Sequence, residues 1–411
     1  MGKFIINGGV PLYGKVMVSG SKNSALPILF ATLAVRGVSH IRSLPDIGDV
    51  RVALDILRSF GARIHQEGDV TEIDTRILNY ASPPAEKLAC LRASTYLIGA
   101  GLVRFGRVEL PEIGGCNFSA RPIDMHLDTV RAFGGSVDSS ALELPSPHGA
   151  KICFLKRSVG ATVNALILAS GTPDESIIEG AACEPHIMNL VAFLRSAGAR
   201  IEYECGTFRV QGCELGGAEV TVGGDMIEAG TYLAAALVTG GRVKVSGIDP
   251  LELSSFTSLL CESGAECRTE PDGIIALGRL TRPSQVVTGA YPDFPTDLQP
   301  IIAPVLAHSG GKITDTVWCD RFGYLDELRR LGVSSRRLGN TAEIFPSEYK
   351  CATATAPDLR GGMALILAAL GAEGVSVIDS AHTVLRGYEA PEVKLRALGA
   401  EIEYVNNVNF S

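Results

Sequence analysis

Ala197-Gly198-Ala199, followed at once by Arg200-Ile201, reads as the end of an amphipathic helix running into an apolar strand. The glycine stands where the helix stops and the chain must turn, the usual place for a left-handed cap. The phrase recurs as Phe60-Gly61-Ala62, Phe133-Gly134-Gly135, Ser263-Gly264-Ala265, Leu331-Gly332-Val333 and Leu398-Gly399-Ala400. Its glycines, at 61, 134, 198, 264, 332 and 399, are 64 to 73 residues apart. Spacing this regular marks an internal repeat, used six times.

Outward from that phrase, each repeat carries an earlier and more apolar helix. These begin near Asn23 (NSALPILFATLAV), Ala93 (ASTYLIGAGLV), Val159 (VGATVNALILAS), Ala229 (AGTYLAAALV), Thr296 (TDLQPIIAPVLA) and Leu359 (LRGGMALILAAL). A helix that is apolar nearly all round belongs inside a domain. Strands such as GRVELP, GRVKVSG and GVSVIDS separate it from the amphipathic helix. The repeat therefore reads as a βαβαββ-type α/β unit.

The chain has 411 residues, more than one hydrophobic core usually supports, so six units imply two lobes of three. Each lobe is expected to be an inside-out α/β barrel, with the buried helices at its centre and the strands and more polar helices outside. The break is expected within 219–225. Lobe I would span 22–223; lobe II would join 1–21, as a crossing strand, to 224–411. A cleft between two lobes is a favoured place for a ligand.

Composition narrows the function. Apolar residues make up 46%, charged residues 20%, and the net charge is −8. Without a dense basic run, no nucleic-acid partner is expected. The opening MGKFIINGG lacks a secretory apolar stretch, and no apolar run reaches the ~18–20 residues of a membrane span. The expectation is a soluble, cytoplasmic protein without a membrane partner. The ten cysteines form no CxxC pair, so free thiols are expected, with no metal and no cofactor. Composition leaves the oligomeric state open.

Chemistry gathers at helix starts, where unpaired N–H groups and the helix dipole attract anions. Ser21-Lys22-Asn23, Leu91-Arg92-Ala93-Ser94, Lys156-Arg157-Ser158-Val159-Gly160 and Asp358-Leu359-Arg360 precede or open apolar helices. Arg121-Pro122-Ile123-Asp124, Asp320-Arg321-Phe322 and Leu385-Arg386-Gly387-Tyr388 would open amphipathic ones. Any one of these cations reads most simply as a solvated charge. Recurring at equivalent junctions, Lys22, Arg92, Arg121, Arg321, Arg360 and Arg386 are expected to converge on a phosphate ester, each charge-assisted contact contributing ~1.5–3 kcal/mol.

The segment Gly114-Gly115-Cys116-Asn117-Phe118-Ser119-Ala120-Arg121-Pro122-Ile123-Asp124-Met125-His126 is the most pointed. Two glycines give a loop freedom, and Cys116 lies five residues before Arg121; nearby cations lower a thiol pKa below ~8.5. His126 is kept as a binding residue, although a histidine there is more often a structural hydrogen-bonder. Trp318 reads equally well as a pocket wall or as core. Asp297, in Phe294-Pro295-Thr296-Asp297, reads as a helix cap or as a carboxylate that takes a proton from a substrate hydroxyl.

With these motifs assembled, the chain resembles the UDP-N-acetylglucosamine 1-carboxyvinyltransferases, of the enolpyruvyl transferase family. The resemblance runs from end to end through SGSKNSALPIL at 19–29, LRAS at 91–94, GGCNFSARPIDMH at 114–126, SVGAT at 158–162, FPTD at 294–297, DLRGGMAL at 358–365 and RGYE at 386–389. It implies transfer of the enolpyruvyl group of phosphoenolpyruvate to the 3-hydroxyl of UDP-N-acetylglucosamine, releasing phosphate, in peptidoglycan precursor synthesis. Lys22, Arg121 and Arg386, with Asn23 and Arg360, would hold phosphoenolpyruvate. Arg121, Pro122, Ile123, Asp124 and Met125, with Lys156, Arg157, Ser158, Val159 and Gly160, would grip the uridine diphosphate. Asn23 and Asp297 would hold the sugar, Asp297 beside the accepting hydroxyl, and Arg92, Val317 and Arg321 would complete the site. Lys22 would join the chemistry; Asp358 would relay protons. Cys116 would protonate the enolpyruvyl methylene, and is the thiol that fosfomycin alkylates in this family.

Several positions depart from the family pattern. The usual Arg-Glu-Pro-Glu reads Cys183-Glu184-Pro185-His186, and Asp-Arg-Ile-Glu reads Asp225-Met226-Ile227-Glu228. Phe-Glu-Asn-Arg reads Trp318-Cys319-Asp320-Arg321, the Asp before the last Arg is Leu385, and Ser119 replaces a glycine. These changes bear on the acceptor more than on the reaction. Two alternatives stand beside the first reading: transfer to another uridine nucleotide, as in nucleoside-antibiotic synthesis, and a non-catalytic UDP-sugar binder.

Overall fold

The structure is a computed structural model that describes residues 2–80, 83–109, 122–138 and 140–406. They divide into two compact units, one made of residues 2–19 with 224–406, the other of 20–223.

The six phrase glycines all turn with positive φ, from 88° at Gly134 to 115° at Gly198. At each one the same two bonds form. Gly61 N donates to Arg58 O (2.9 Å) and Ala62 N to Leu57 O (3.2 Å); Gly399 N donates to Arg396 O (2.9 Å) and Ala400 N to Leu395 O (3.0 Å). This paired bonding satisfies carbonyls that the helix leaves open, and it places one residue in a left-handed conformation that a side chain disfavours. The glycine is thus a requirement of the motif.

Within residues 20–223, the helices Lys22–Ala31, Leu97–Phe105 and Val159–Gly171 are central. In the other unit, Met226–Thr239, Gln299–Val305 and Leu359–Gly371 take that place. Every residue from Ile227 to Thr239 and from Leu359 to Leu370 is buried, as expected where apolar side chains occupy the full circumference. The amphipathic helices differ. Gly48–Ser59 buries Val50, Ala53, Ile56 and Leu57 along one stripe and leaves Arg51, Asp55 and Arg58 in solvent. Two central helices open with a 3-10 turn, at Arg92–Tyr96 and Thr296–Leu298.

Three sheets enclose the helices of each unit. Five sheets have four strands, and the sheet containing Arg107–Glu109 has three among the described residues. Each four-stranded sheet combines one parallel pair with antiparallel pairs. Ser284–Val287, for example, runs parallel to Gly311–Thr314, which pairs antiparallel with Thr341–Ile344. In three of these sheets the parallel strand directly precedes the unit's own central helix; in the other two it comes from a distant part of the chain, as where Glu219–Thr221 completes the sheet of Val38–Arg42.

The amino terminus contributes two strands. Gly2–Gly8 lies between Gly374–Asp379 and Glu401–Asn406, antiparallel to both. Tyr13–Met17 then runs parallel to Arg242–Ser246. Gly2–Gly8 thus supplies the strand that the sixth repeat lacks, and Tyr13–Met17 the parallel strand of the fourth. Sequence reading placed this crossing segment at 1–21; the unit takes in residues through Ser19. Gly20 and Ser21 lie with the other unit, where Ser21 N donates to Gly223 O (2.7 Å) and the Ser21 side chain caps Lys22–Ala31.

One helix start differs from expectation. Leu385-Arg386-Gly387-Tyr388 was expected to open the last amphipathic helix, but Ala381–Arg386 is a 3-10 helix and the α-helix is Pro391–Ala397. Ala390, with φ of 43°, turns the chain, and Pro391 fixes the first helical residue. Among the described residues, no helix is long and apolar enough to cross a membrane.

Candidate active site

The unit of residues 224–406 gathers buried cations around a carboxylate. Asp297 sits in the 3-10 turn that opens a central helix; Pro295, not Asp297, is at the cap position. Its Oδ1 accepts from Arg321 Nη1 at 2.7 Å, and its Oδ2 from Arg360 Nη2 at 3.1 Å and Nε at 3.3 Å. Both guanidiniums are almost wholly buried, while the Asp297 side chain stays 27% exposed. A carboxylate clamped from behind by two cations and open at the front has one fixed direction in which to meet a hydroxyl.

Arg360 belongs to the wall. Its guanidinium stacks over the Tyr388 ring, 5.2 Å from the centroid. Burial works against its charge, but Tyr388, Asp297 and Asp225 outweigh burial and hold it above its ordinary value. Tyr388 itself is pushed up to about 12, chiefly by burial. Arg360 therefore reaches toward the site through Asp297. Asp358, also buried, caps the helix Leu359–Gly371, its Oδ1 accepting from Arg360 N and Gly361 N, both at 3.0 Å. Arg386 closes the 3-10 helix Ala381–Arg386 and is half-buried, as are Val317 and Trp318.

In the unit of residues 20–223, Lys22 opens the first central helix, and its Nζ lies 2.6 Å from Asp49 Oδ2. Asp49 is buried and belongs to the neighbouring amphipathic helix Gly48–Ser59. Sequence reading missed Asp49, because a lone acid in the first turn of a helix reads as a favourable dipole contact. Asn23, next to Lys22, is half-buried.

The segments Pro122–Met125 and Lys156–Gly160, expected on the nucleotide, lie together. Asp124 opens the helix Asp124–Ala132, and Ser158 caps Val159–Gly171 by accepting from Ala161 N at 3.3 Å. A Cβ on Gly160 would come within 2.8 Å of the His126 ring, so only glycine allows this approach. Pro122, Asp124, Lys156 and Arg157 stay exposed.

His126 faces inward. Its Nδ1 meets Asn164 Nδ2 at 2.7 Å; Asn164 Nδ2 also donates to Thr95 O at 3.0 Å, and Asn164 Oδ1 accepts from Gly99 N at 2.7 Å. Burial, with Arg92 adding to it, lowers the His126 pKa to about 4. The ring is a neutral strut linking three helices. Cys116 and Arg121 lie outside the described residues.

The chain matches the model of the EPSP synthase (3-phosphoshikimate 1-carboxyvinyltransferase) family over residues 6–395. This chain belongs to the EPSP synthase family. Among its relatives within that family are the UDP-N-acetylglucosamine 1-carboxyvinyltransferase of Halothermothrix orenii, 40% identical over 98% of this chain and 100% of that one. UDP-N-acetylglucosamine 1-carboxyvinyltransferase 3 of Caldanaerobacter subterraneus is 39% identical over 98% of this chain and 99% of that one. Among solved structures, the enolpyruvyl transferase NikO from Streptomyces tendae superposes with a TM-score of 0.88 at 26% identity, over 98% and 99% of the two chains. An EPSP synthase from Acinetobacter baumannii shares the fold, with a TM-score of 0.71 at 16% identity over 99% and 100% of the chains.

The departures from the family pattern have distinct surroundings. The Cys183 thiol hydrogen-bonds the Tyr203 hydroxyl, whose pKa rises to about 12, first through burial and then through that thiol, with Arg157 opposing. Met226 and Leu385 pack against the apolar core of their unit, while Cys319 is exposed and His186 half-buried.

Proposed function

We propose that this chain transfers the enolpyruvyl group of phosphoenolpyruvate to the 3-hydroxyl of UDP-N-acetylglucosamine, with release of phosphate, as a step in peptidoglycan precursor synthesis. The observation that carries this reading is the double clamp on Asp297, which aims a partly open carboxylate from a fixed wall. The names and near-complete coverage of the relatives at 39–40% identity support the same reaction.

In this reading the acceptor hydroxyl, its proton drawn toward Asp297, adds to the carbon that bears the phosphate ester. Cys116 delivers a proton to the adjacent methylene. The tetrahedral intermediate then loses phosphate and one proton from the new methyl group, which restores the double bond on the acceptor. Lys22, Arg121 and Arg386 hold the phosphate and carboxylate charges, where fixed cations stabilise charge as it develops. Asn23 steadies the sugar and Asp358 relays protons. Arg92, Pro122–Met125, Lys156–Gly160, Val317 and Arg321 bind the nucleotide sugar. Arg360 serves the bound anion through Asp297. Holding both substrates in line converts an encounter into a unimolecular step. Cations around a thiol favour the thiolate, so the bound phosphoenolpyruvate anion is what restores Cys116 as an acid.

Phosphate release from phosphoenolpyruvate tests this directly. UDP-N-acetylglucosamine should drive release, and Cys116→Ala and Asp297→Asn should each suppress it. A second reading, transfer to a different uridine nucleotide, is favoured by Cys183, which stands where the family pattern has an arginine and meets Tyr203 near Arg157. Release with UMP or another uridine acceptor, and none with UDP-N-acetylglucosamine, would select it. No release with any acceptor would leave a nucleotide-binding protein and overturn both.

A further inference from the structure

We propose that Asp315 is a positioning residue for Asp297, acting through Thr296 and Arg321. The inference rests on the functional reading above for its kinetic consequence, but not for its geometry. Asp315 is fully buried and follows the strand Gly311–Thr314. Among the described residues its carboxylate is met by four neutral donors. Oδ1 accepts from Thr288 Oγ1 at 2.8 Å, Val317 N at 2.9 Å and Trp318 N at 2.8 Å. Oδ2 accepts from Thr296 Oγ1 at 2.8 Å.

Hydrogen-bond polarity gives this cluster a direction. An ionised carboxylate only accepts, and a threonine hydroxyl has one proton to give. Thr296 therefore spends its proton on Asp315 and turns a lone pair toward Arg321. Arg321 Nη1 donates to that oxygen at 3.3 Å, to Thr296 O at 3.1 Å and to Asp297 Oδ1 at 2.7 Å. A second route reaches the same residue. Trp318 N is held by Asp315, and Trp318 O accepts from Arg321 N at 3.0 Å. Asp315 thus fixes the backbone and the head group of Arg321, and Arg321 fixes Asp297. A purely structural carboxylate would hold the 315–318 turn with Thr288 and the two amides alone; the bond to Thr296 is what ties it to the site.

Thr296→Val removes the linking hydroxyl, and Thr288→Val removes an equal bond to the same carboxylate off the route. The groups facing Asp297 include Arg321, ahead of the helix Tyr324–Arg330, and Arg360 from Leu359–Gly371, itself biased by Tyr388 and Asp225. Two readouts are used: kcat and KM for phosphate release, and the titration of the Asp297 carboxyl by carbon-13 NMR, assigned with Asp297→Asn. Thr296→Val should lower kcat roughly 10- to 100-fold with KM little changed, the size expected when a reacting group is displaced by about 1 Å. It should move the Asp297 titration upward, because a loosened cation favours the carboxylate less. Thr296→Ser should restore both. Thr288→Val should leave kcat and the titration as in the wild type, whatever it does to thermal stability. Asp315→Asn should repeat the Thr296→Val pattern and serves if that variant does not fold. Equal effects of Thr288→Val and Thr296→Val, or no movement in either, would overturn the proposal. A wild-type protein that releases no phosphate with any acceptor would overturn the functional reading, while the titration would still decide this one.

Discussion

Arg360 lays Nη2 and Nε on Asp297 Oδ2, at 3.1 and 3.3 Å, across two successive repeats. The fork needs a planar guanidinium, and an ammonium cannot reproduce it. Arg360→Lys should therefore lower kcat while leaving the binding of uridine nucleotide unchanged in calorimetry. Arg360→Ala also leaves a carboxylate short of one partner in a buried wall and should cost about 3–5 kcal/mol in denaturant unfolding.

Lys22 and Asp49 form the corresponding pair in the other unit, both nearly buried. Lys22→Ala removes a cation from the buried Asp49 carboxylate, so it should lose stability by about 3–5 kcal/mol as well as activity. Lys22→Ala combined with Asp49→Ala should be more stable than Lys22→Ala alone, since the weakened carboxylate is gone. A denaturation double-mutant cycle reads that coupling; simple additivity would show that the pair does not interact.

His126 gives a pH dependence with a defined sign. Its pKa falls from 6.5 in the unfolded chain to about 4 in the fold, first through burial. Between those values the unfolded chain binds the extra proton, so stability is intact above pH 6.5 and falls as pH drops toward 4. The loss should reach up to about 3 kcal/mol. His308, also lowered by burial, acts in the same direction. Urea unfolding between these pH values should flatten in His126→Gln by the His126 share.

The repeat glycines separate backbone strain from crowding. Gly399 has φ of 100° and open space where a Cβ would stand, whereas Gly332, at 91°, would place one 2.2 Å from Glu348 O. Gly399→Ala should cost about 1–2 kcal/mol, the penalty of the left-handed backbone. Gly332→Ala should cost more, because the backbone must also move. Equal losses in thermal unfolding would contradict this reading of the caps.

What the sequence disclosed and what it hid follow from the range of each interaction. The Gly61 and Gly399 caps and the all-round apolar helix at Leu359 are encoded within a few neighbouring residues, so they could be read directly. Lys22, Arg92 and Arg360 could be picked out for the same reason, since each lies at a helix start. Their partners could not. Asp49 meets Lys22 across two helices, and Asp297 is clamped by Arg321 and Arg360 from later segments. His126 gave no local sign that Asn164 would turn it inward. The helix expected at Arg386 was displaced by the turn at Ala390, whose φ of 43° is unusual for alanine and invisible in an amphipathic pattern.

The strand Gly2–Gly8 has a consequence for biosynthesis. Both of its neighbours, Gly374–Asp379 and Glu401–Asn406, leave the ribosome long after it. Among the described residues, the strands within 20–223 pair only with one another, so this unit can condense while translation continues. The strand Gly2–Gly8 must wait, unpaired, until residues 374–406 have been made. A circularly permuted gene that joins the two ends and opens elsewhere would remove that delay, and a chain cut short before the final strand would leave the first one with an open edge.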